Sequence, residues 1–313
     1  MQKRRVLYVY SDAIKVGSNR YLPHVFEALR CIERETELEL VLLEGKLALE
    51  ESEIGTLRGE DIYFEDAIDE SELDIENSFV AGREGDELIF AGRTEGIEKA
   101  RRFSSWLDIS SLLVPDKSLA HRRAKLERNT RETQISLSID LDGSGKGLLR
   151  TGVGFFDHML EQVVKHSRCD IEGRIAGDLE VDEHHTVEDL GICLGLAFKE
   201  ALGDKRGINR YGHDILIMDD VICTCAIDFS GRPYLLWKVD FRREEVGGFP
   251  TEMFQHFFKS FSDAAQCNLS IEVSEGNTHH QAEAIFKAFA RAAKMAVRRI
   301  PGSRELPSTK GVL

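Results

Sequence analysis

No run of apolar residues in this chain approaches the roughly 20 needed to cross a bilayer, so a membrane-spanning protein is not expected. A basic excess is missing as well. The formal charge of -14 argues against nucleic acid or an anionic membrane as a partner. Cysteine is sparse, and Cys31, Cys169, Cys193, Cys223, Cys225 and Cys267 lie scattered, with only Cys223 and Cys225 close together. Alternation along a strand puts those two on one face, but no second CxC or CxxC completes a zinc site, which leaves ordinary buried thiols. The opening residues MQKRRVLYVYSDA turn acidic too soon for a secretory signal, and the expected localisation is cytoplasmic.

What is present is ample apolar material, 42% of 313 residues, with room for two or three compact units. Charge is uneven: residues 1–122 carry 16 Lys+Arg against 26 Asp+Glu, and residues 123–313 carry 25 against 29. The basic stretch His121-Arg122-Arg123-Ala124-Lys125 marks the change and predicts a domain boundary near 118–126.

From about 133 the pattern is clear. Ile135, Leu137, Ile139 and Leu141 alternate with polar residues as in a half-buried strand, and Asp142-Gly143 starts a turn. Residues 155–167 are helical in pattern, CDIEGRIAGDLE has strand character, and Val187, Leu190, Leu194, Phe198 and Ala201 recur at helical spacing. A second series follows: strands near 215–229 and 233–241, a helix over 251–265, a strand at 268–274, and a helix carrying Ile285, Phe286, Phe289 and Ala293. The shared unit is ββαβα, in halves of about 133–212 and 213–300 with a tail at 301–313, and the predicted fold class is α+β.

Six of the ten histidines fall into two matching sets. His184-His185-Thr186-Val187-Glu188 and His279-His280-Gln281-Ala282-Glu283 are both HHxxE, preceded by His158 and His256 at gaps of 26 and 23 residues. On a helix, i and i+4 share a face about 6 Å apart, so His184 with Glu188, and His279 with Glu283, can grip one ion. His185 and His280 are rotated by about 100° and point elsewhere, so each motif feeds two ions more naturally than one. Six imidazoles and two carboxylates suffice for two ions with open positions for substrate, and suit Mn, Fe, Co, Ni or Zn better than Mg or Ca. A single histidine is more often a hydrogen-bonded core residue; the repetition favours metal. No glutamate stands between the paired histidines, which argues against a zincin-type protease.

GVGFFDHMLEQ, DEHHTVEDLGICLG, ALGDKRGINRYG, DFSGRPYL, the second HH pair leading to FKAFARA, and LPSTKGVL occur in order across roughly 123–313. Together they resemble the imidazoleglycerol-phosphate dehydratase family of histidine biosynthesis. The resemblance implies a hydro-lyase, a duplicated ββαβα unit of the ribosomal-protein domain-2-like kind, and a 24-subunit homo-oligomeric shell. It also implies two Mn ions per active site, between subunits, held by His158, His184, His185, Glu188, His256, His279, His280 and Glu283. Glu132, before the first strand, matches an acid/base glutamate at the substrate's glycerol chain; its plain alternative is a strand-edge surface carboxylate. Glu188 is counted with the catalytic residues as well as the ligands. Lys287 shares the face of Glu283 and either stabilises developing charge or pairs with a ligand carboxylate. Arg210, Arg232 and Lys310 match a phosphate grip, with Gln162, Ser308 and Thr309 as hydrogen-bond partners. That turns the tail from a frayed terminus into an ordered lid. His166 is either near the site or an exposed helix-end residue.

Residues 1–118 carry no dehydratase motif. Their order resembles fusion to a histidinol-phosphate phosphatase of the haloacid dehalogenase-like type, which needs a nucleophilic Asp, a second Asp two residues on, and Gly-Thr. Here Tyr10 stands where the nucleophile belongs, with Asp12 retained. SFVAGREGDE resembles the later metal-binding loop, with Arg83 in place of an aspartate and Asp86 kept, and the zinc-binding loop is missing. The expectation is a shortened, inactive phosphatase-like domain; the alternative is an unrelated α/β domain packed outside the shell. Two further readings of the whole chain are a live bifunctional enzyme and an inactive metal-assembled shell.

Overall fold

The computed structural model describes residues 5–16, 20–36, 38–43, 49–59, 62–68, 78–92, 100–114, 121–300 and 303–313. The chain divides into two compact units, residues 1–120 and 121–313. Part of the expected boundary, residues 118–120, lies outside the described residues.

In the first unit, the apolar runs RVLYVY and LELVLL form β1 (Arg5–Tyr10) and β2 (Leu38–Leu43), which pair in parallel. Such continuous apolar runs suit strands covered on both faces. β3 (Glu65–Ile68) and β4 (Phe79–Glu84) flank them, also parallel, and β5 (Glu87–Gly92) and β6 (Arg101–Phe103) extend the sheet antiparallel. The order is β3-β2-β1-β4-β5-β6. The helices are α1 (Val25–Glu35), α2 (Glu51–Gly59) and α3 (Trp106–Leu113). Trp106 is fully buried, and its Nε1 donates to the Ala13 carbonyl at 2.6 Å. The stretch resembling a metal-binding loop is instead the β4–β5 hairpin, with Arg83 in β4 and Asp86 exposed at the turn. Its apolar alternation, Phe79 and Ala81 inward, favours pairing over an open loop.

The second unit contains two series with one order. The first runs β7 (Arg123–Asn129), β8 (Thr133–Asp140), β9 (Leu149–Arg150), α4 (Gly154–Ser167), β10 (Asp170–Gly177) and α5 (His184–Leu202). The second runs β11 (Tyr211–Met218), β12 (Val221–Asp228), β13 (Tyr234–Lys238), α6 (Glu252–Ala265), β16 (Asn268–Val273) and α7 (Thr278–Val297). A small ribbon of β14 (Glu245–Val246) and β15 (Phe249–Pro250) precedes α6. The sheets are ordered β7-β8-β10-β9 and β11-β12-β16-β13. Apart from that ribbon, each series places three strands before its first helix, one more than the sequence pattern predicts. The strand expected over 215–229 is a hairpin, because Asp219 takes a left-handed φ of 49° and reverses the chain.

Burial alternates along β8 and β12, so Ile135, Leu137 and Ile139, and Cys223, Cys225 and Ile227, face the helices. Both cysteines are buried thiols, and burial pushes Cys223 up to about 12. α5 packs on β7, β8 and α6, while α7 packs on β11, β12 and α4, so the four helices lie between the two sheets. The α5–α6 contact is close because Gly191 and Gly195 face it. A Cβ on Gly195 would sit 2.6 Å from the Phe261 carbonyl oxygen and 2.7 Å from Ala264 Cβ. Gly195→Leu is expected to destabilise this unit by about 1–3 kcal/mol through overpacking. A urea titration followed by circular dichroism reads this as an earlier midpoint.

Candidate active site

Both HHxxE motifs open a helix, and local capping sets their direction. At α5 the Asp182 carboxylate accepts from the His184 backbone N–H at 2.9 Å; at α7 Asn277 Oδ1 accepts from His279 N–H at 2.9 Å. The paired histidines thus stand on the first turn, with the stripes Val187–Leu190–Leu194 and Ile285–Phe286–Phe289 buried behind them.

The two series exchange histidines. His158 of α4 meets α7, and its donor atoms with those of His279 and Glu283 all lie within 4.8 Å of one another. His279 Nε2 is 3.3 Å from Glu283. Conversely, His256 of α6 meets α5, its ring centroid 4.8 Å from that of His184, and His184 Nε2 is 3.5 Å from Glu188. Each cluster therefore takes its HxxxE pair from one series and its third imidazole from the other.

His185 and His280 join neither cluster. His185 Nδ1 lies 3.1 Å from an Asp178 oxygen and its Nε2 is 3.8 Å from Glu132. His280 Nδ1 lies 2.6 Å from Asp220 and its Nε2 is 3.4 Å from Asp219. The hydrogen bonds to Asp178 and Asp220 raise the pKa of the two imidazoles above its ordinary value. Sequence reading missed Asp178, Asp219 and Asp220. A signal existed for one of them: Glu132 and Asp220 occupy the same place, immediately before the second strand of each opening hairpin.

Lys287 Nζ is 2.8 Å from Glu283, the pairing alternative of the two expected. Burial pushes the Glu283 carboxyl up, but the Lys287 hydrogen bond and charge, with His158 and His279, outweigh it and hold it below the usual range. His166 is partly buried, and burial, then the charges of Lys287 and Arg291, lower its pKa. Gln162 is one turn beyond His158, and its Nε2 donates to the His158 carbonyl at 3.3 Å.

Of the residues expected to grip phosphate, Ser308, Thr309 and Lys310 lie in the tail, Arg210 bonds to it and Arg232 follows a glycine packed against its end, whereas Gln162 stands on α4. Arg210 is buried and makes a forked ion pair with Asp228, while its Nη1 donates to the Pro307 carbonyl at 2.7 Å. Ser308 Oγ accepts from the Lys310 N–H at 3.2 Å and donates to the Val312 carbonyl at 2.9 Å. Arg232 follows Gly231, where a Cβ would lie 2.8 Å from the carbonyl carbon of Leu313. Thr309, Lys310 and Arg232 are exposed. Of the expected tail, residues 301–302 lie outside the described residues.

In the first unit, Tyr10 ends β1, and Asp12 lies in the 3-10 turn Ser11–Ala13 that follows. No aspartate occupies the strand end.

The family model for imidazoleglycerol-phosphate dehydratase matches residues 151–293. A histidine biosynthesis bifunctional protein HisB from Spirosoma linguale is 54% identical over 226 residues, covering 71% of this chain and 58% of that protein. The chain thus spans little more than half the length of that relative. A HisB protein from Bacteroides fragilis is 40% identical over 348 residues, covering 94% of this chain and 92% of its own. Since 348 aligned positions exceed the 313 residues here, at least 35 have no counterpart in this chain. An imidazoleglycerol-phosphate dehydratase from Hydrogenovibrio crunogenus is 51% identical over its full length and 61% of this chain. Among solved structures, imidazoleglycerol-phosphate dehydratase from Staphylococcus aureus matches with a TM-score of 0.52 and 35% identity, over 56% of this chain and 99% of that one. IGPD from Pyrococcus furiosus matches with a TM-score of 0.53 and 32% identity, over 60% and 100%.

The α+β fold and these matches make the protein a dehydratase, a hydro-lyase of histidine biosynthesis. The chain belongs to the imidazoleglycerol-phosphate dehydratase family, in the form joined to an N-terminal histidinol-phosphatase-like segment.

Proposed function

We propose that the second unit removes water from imidazoleglycerol phosphate to give imidazoleacetol phosphate, using the two crossed clusters as metal sites. The observation that carries this is the exchange of His158 and His256 between the series: His158, His279 and Glu283 converge within 4.8 Å, and His256 lies against His184, which in turn faces Glu188. Histidine nitrogens with one carboxylate oxygen form a donor set that fits a divalent transition ion, and we assign Mn2+, two per site. His158, His279 and Glu283 would hold one ion and His184, Glu188 and His256 another. A bound ion supplies Lewis acidity that lets the substrate's imidazole ring accept electron density.

The chain's own residues do the rest. The carbon that loses a proton is not beside a carbonyl, so its electron pair must pass into the imidazole ring; Glu132, 3.8 Å from His185, would take that proton and return it to the departing hydroxyl, which leaves as water. Lys287 keeps Glu283 ionised and hence a donor to metal. Arg232 and Lys310, with Arg210, Gln162, Ser308 and Thr309, bind the phosphate.

His158, His184, His185, His279 and His280 are 30–45% exposed on their side chains. We assign His185 and His280 to metal sites shared with neighbouring copies in a homo-24-mer. The outer face of the second sheet supports self-association, since Tyr211, Ile215, Ile217, Ile222, Tyr234 and Leu236 are all exposed there. Chelation is expected to reduce particle mass, read by light scattering; a mass unchanged after complete metal removal counts against shared sites. All six cysteines are free, which suits a cytoplasmic protein, and no helix among the described residues is long and apolar enough to cross a membrane.

For the first unit we propose a shortened haloacid dehalogenase-like domain that has lost its nucleophile. Tyr10 at the end of β1 supports this, as do the missing alignment positions. The full chain should dehydrate imidazoleglycerol phosphate, giving a ketone that absorbs in base, and release no phosphate from histidinol phosphate. Phosphate release would establish the bifunctional reading instead.

A further inference from the structure

We infer that Asp228 is a positioning residue of the phosphate grip: through Arg210 it fastens the C-terminal tail beside the loop that carries Arg232. This rests on the dehydratase reading for its kinetic consequence, though not for its structural one.

Arg210 is held unusually firmly. Its φ of 67° is left-handed, a region a non-glycine residue occupies only when its surroundings impose it. The imposition is visible: its N–H donates to the Ala296 carbonyl at 2.9 Å and its carbonyl accepts from the Phe229 N–H at 3.2 Å. Nε and Nη2 donate to the two Asp228 oxygens at 2.7 and 3.1 Å, and the guanidinium carbon lies 4.6 Å from the Tyr211 ring centroid. Nη1 then reaches the Pro307 carbonyl. Three of five guanidinium N–H groups are committed in this way, leaving two for an anion.

The backbone of the same residue begins the turn that presents Arg232. The Ser230 N–H donates to the Asp228 carbonyl at 2.8 Å, and Ser230 Oγ accepts from the Arg232 N–H at 3.3 Å. Gly231, at φ 78°, lets the chain end approach. A second tie, from the Gly207 N–H to the Glu305 carbonyl at 3.0 Å, holds the tail's start. Asp228 thus connects a strand end, a buried arginine and the residue immediately before Ser308-Thr309-Lys310. The link is relayed: the Asp228 carboxylate holds Arg210, and the Arg210 guanidinium holds Pro307.

Asp228→Asn keeps the shape but replaces a carboxylate that accepts both arms of the fork with an amide that accepts through one oxygen. On the full-length, metal-loaded protein we expect faster amide exchange over residues 303–313. KM for imidazoleglycerol phosphate should rise at least about 10-fold with kcat little changed. Inhibition by inorganic phosphate should weaken by a similar factor, with metal content unaltered. If Asp228→Asn fails to fold, the exchange over residues 303–313 is read on Arg210→Lys, which keeps the charge without the fork and should speed it. A lowered melting temperature with tail exchange, KM and phosphate inhibition all unchanged would overturn the inference. If the parent protein turns over no substrate, the dehydratase reading falls; the exchange measurement still decides whether Asp228 holds the tail.

Discussion

Glu132→Gln should lower kcat by roughly 10²–10⁴-fold, the range a positioned acid/base group contributes, while metal content stays at the parent level. The substitution is nearly isosteric and removes only the ability to take a proton. Glu132 is held by the hairpin turn, its N–H donating to Thr130 Oγ at 3.1 Å, and its carboxylate is half-exposed beside His185. A strand-edge surface carboxylate placed this way would show no kinetic effect on removal. Turnover at the parent rate therefore assigns it to that plainer role. Asp220→Asn gives the informative comparison, since it alters the equivalent place in the second series, where the carboxylate lies 2.6 Å from His280 Nδ1, whereas Glu132 lies 3.8 Å from His185 Nε2.

The second large effect concerns the ligands. Glu283→Gln should lower metal affinity by more than the about 10–100-fold typical of residues that only orient a ligand, and activity should fall with it. Glu283 is the most buried acid of the clusters, its side chain 12% exposed, and its charge is shared between His279 and Lys287. A neutral amide leaves Lys287 without its carboxylate next to two imidazoles, so the cluster becomes repulsive toward a cation. Glu188→Gln in the other cluster should behave similarly, with a smaller change in local electrostatics because Glu188 is about half-exposed and pairs with no lysine among the described residues. Elemental analysis of both variants after dialysis reads the outcome; full metal occupancy in both would show the ligands are misassigned.

Much of the second unit could be read before folding because its signals are local. Buried stripes at helical spacing produce α5 and α7, and the i,i+4 rule correctly brings His184 to Glu188 and His279 to Glu283. The strand β7 escaped notice for a physical reason: of Arg123–Asn129 only Ala124 is buried, so alternation carries almost no apolar signal. β9 is two residues long, too short for a period. The β11–β12 turn is Asp219-Asp220, with neither glycine nor proline to mark it.

Within the two histidine clusters, sequence supplied the residues but not their grouping. Pairing His158 with Glu283, and His256 with His184, depends on α4 meeting α7 and α5 meeting α6, contacts between segments about a hundred residues apart. The same holds for Arg210. Resemblance marks it as a phosphate ligand, whereas its geometry commits most of the guanidinium to Asp228 and Pro307. In the first unit, β-pairing of Phe79–Glu84 with Glu87–Gly92 overrides the likeness to a metal-binding loop.

The most direct test of the central claim is turnover of imidazoleglycerol phosphate by the full-length protein before chelation, after it, and after manganese is restored. The account predicts product formation that disappears with the metal and returns when about two ions per chain are rebound, matching the two crossed clusters. Undiminished turnover by fully metal-free protein would contradict it.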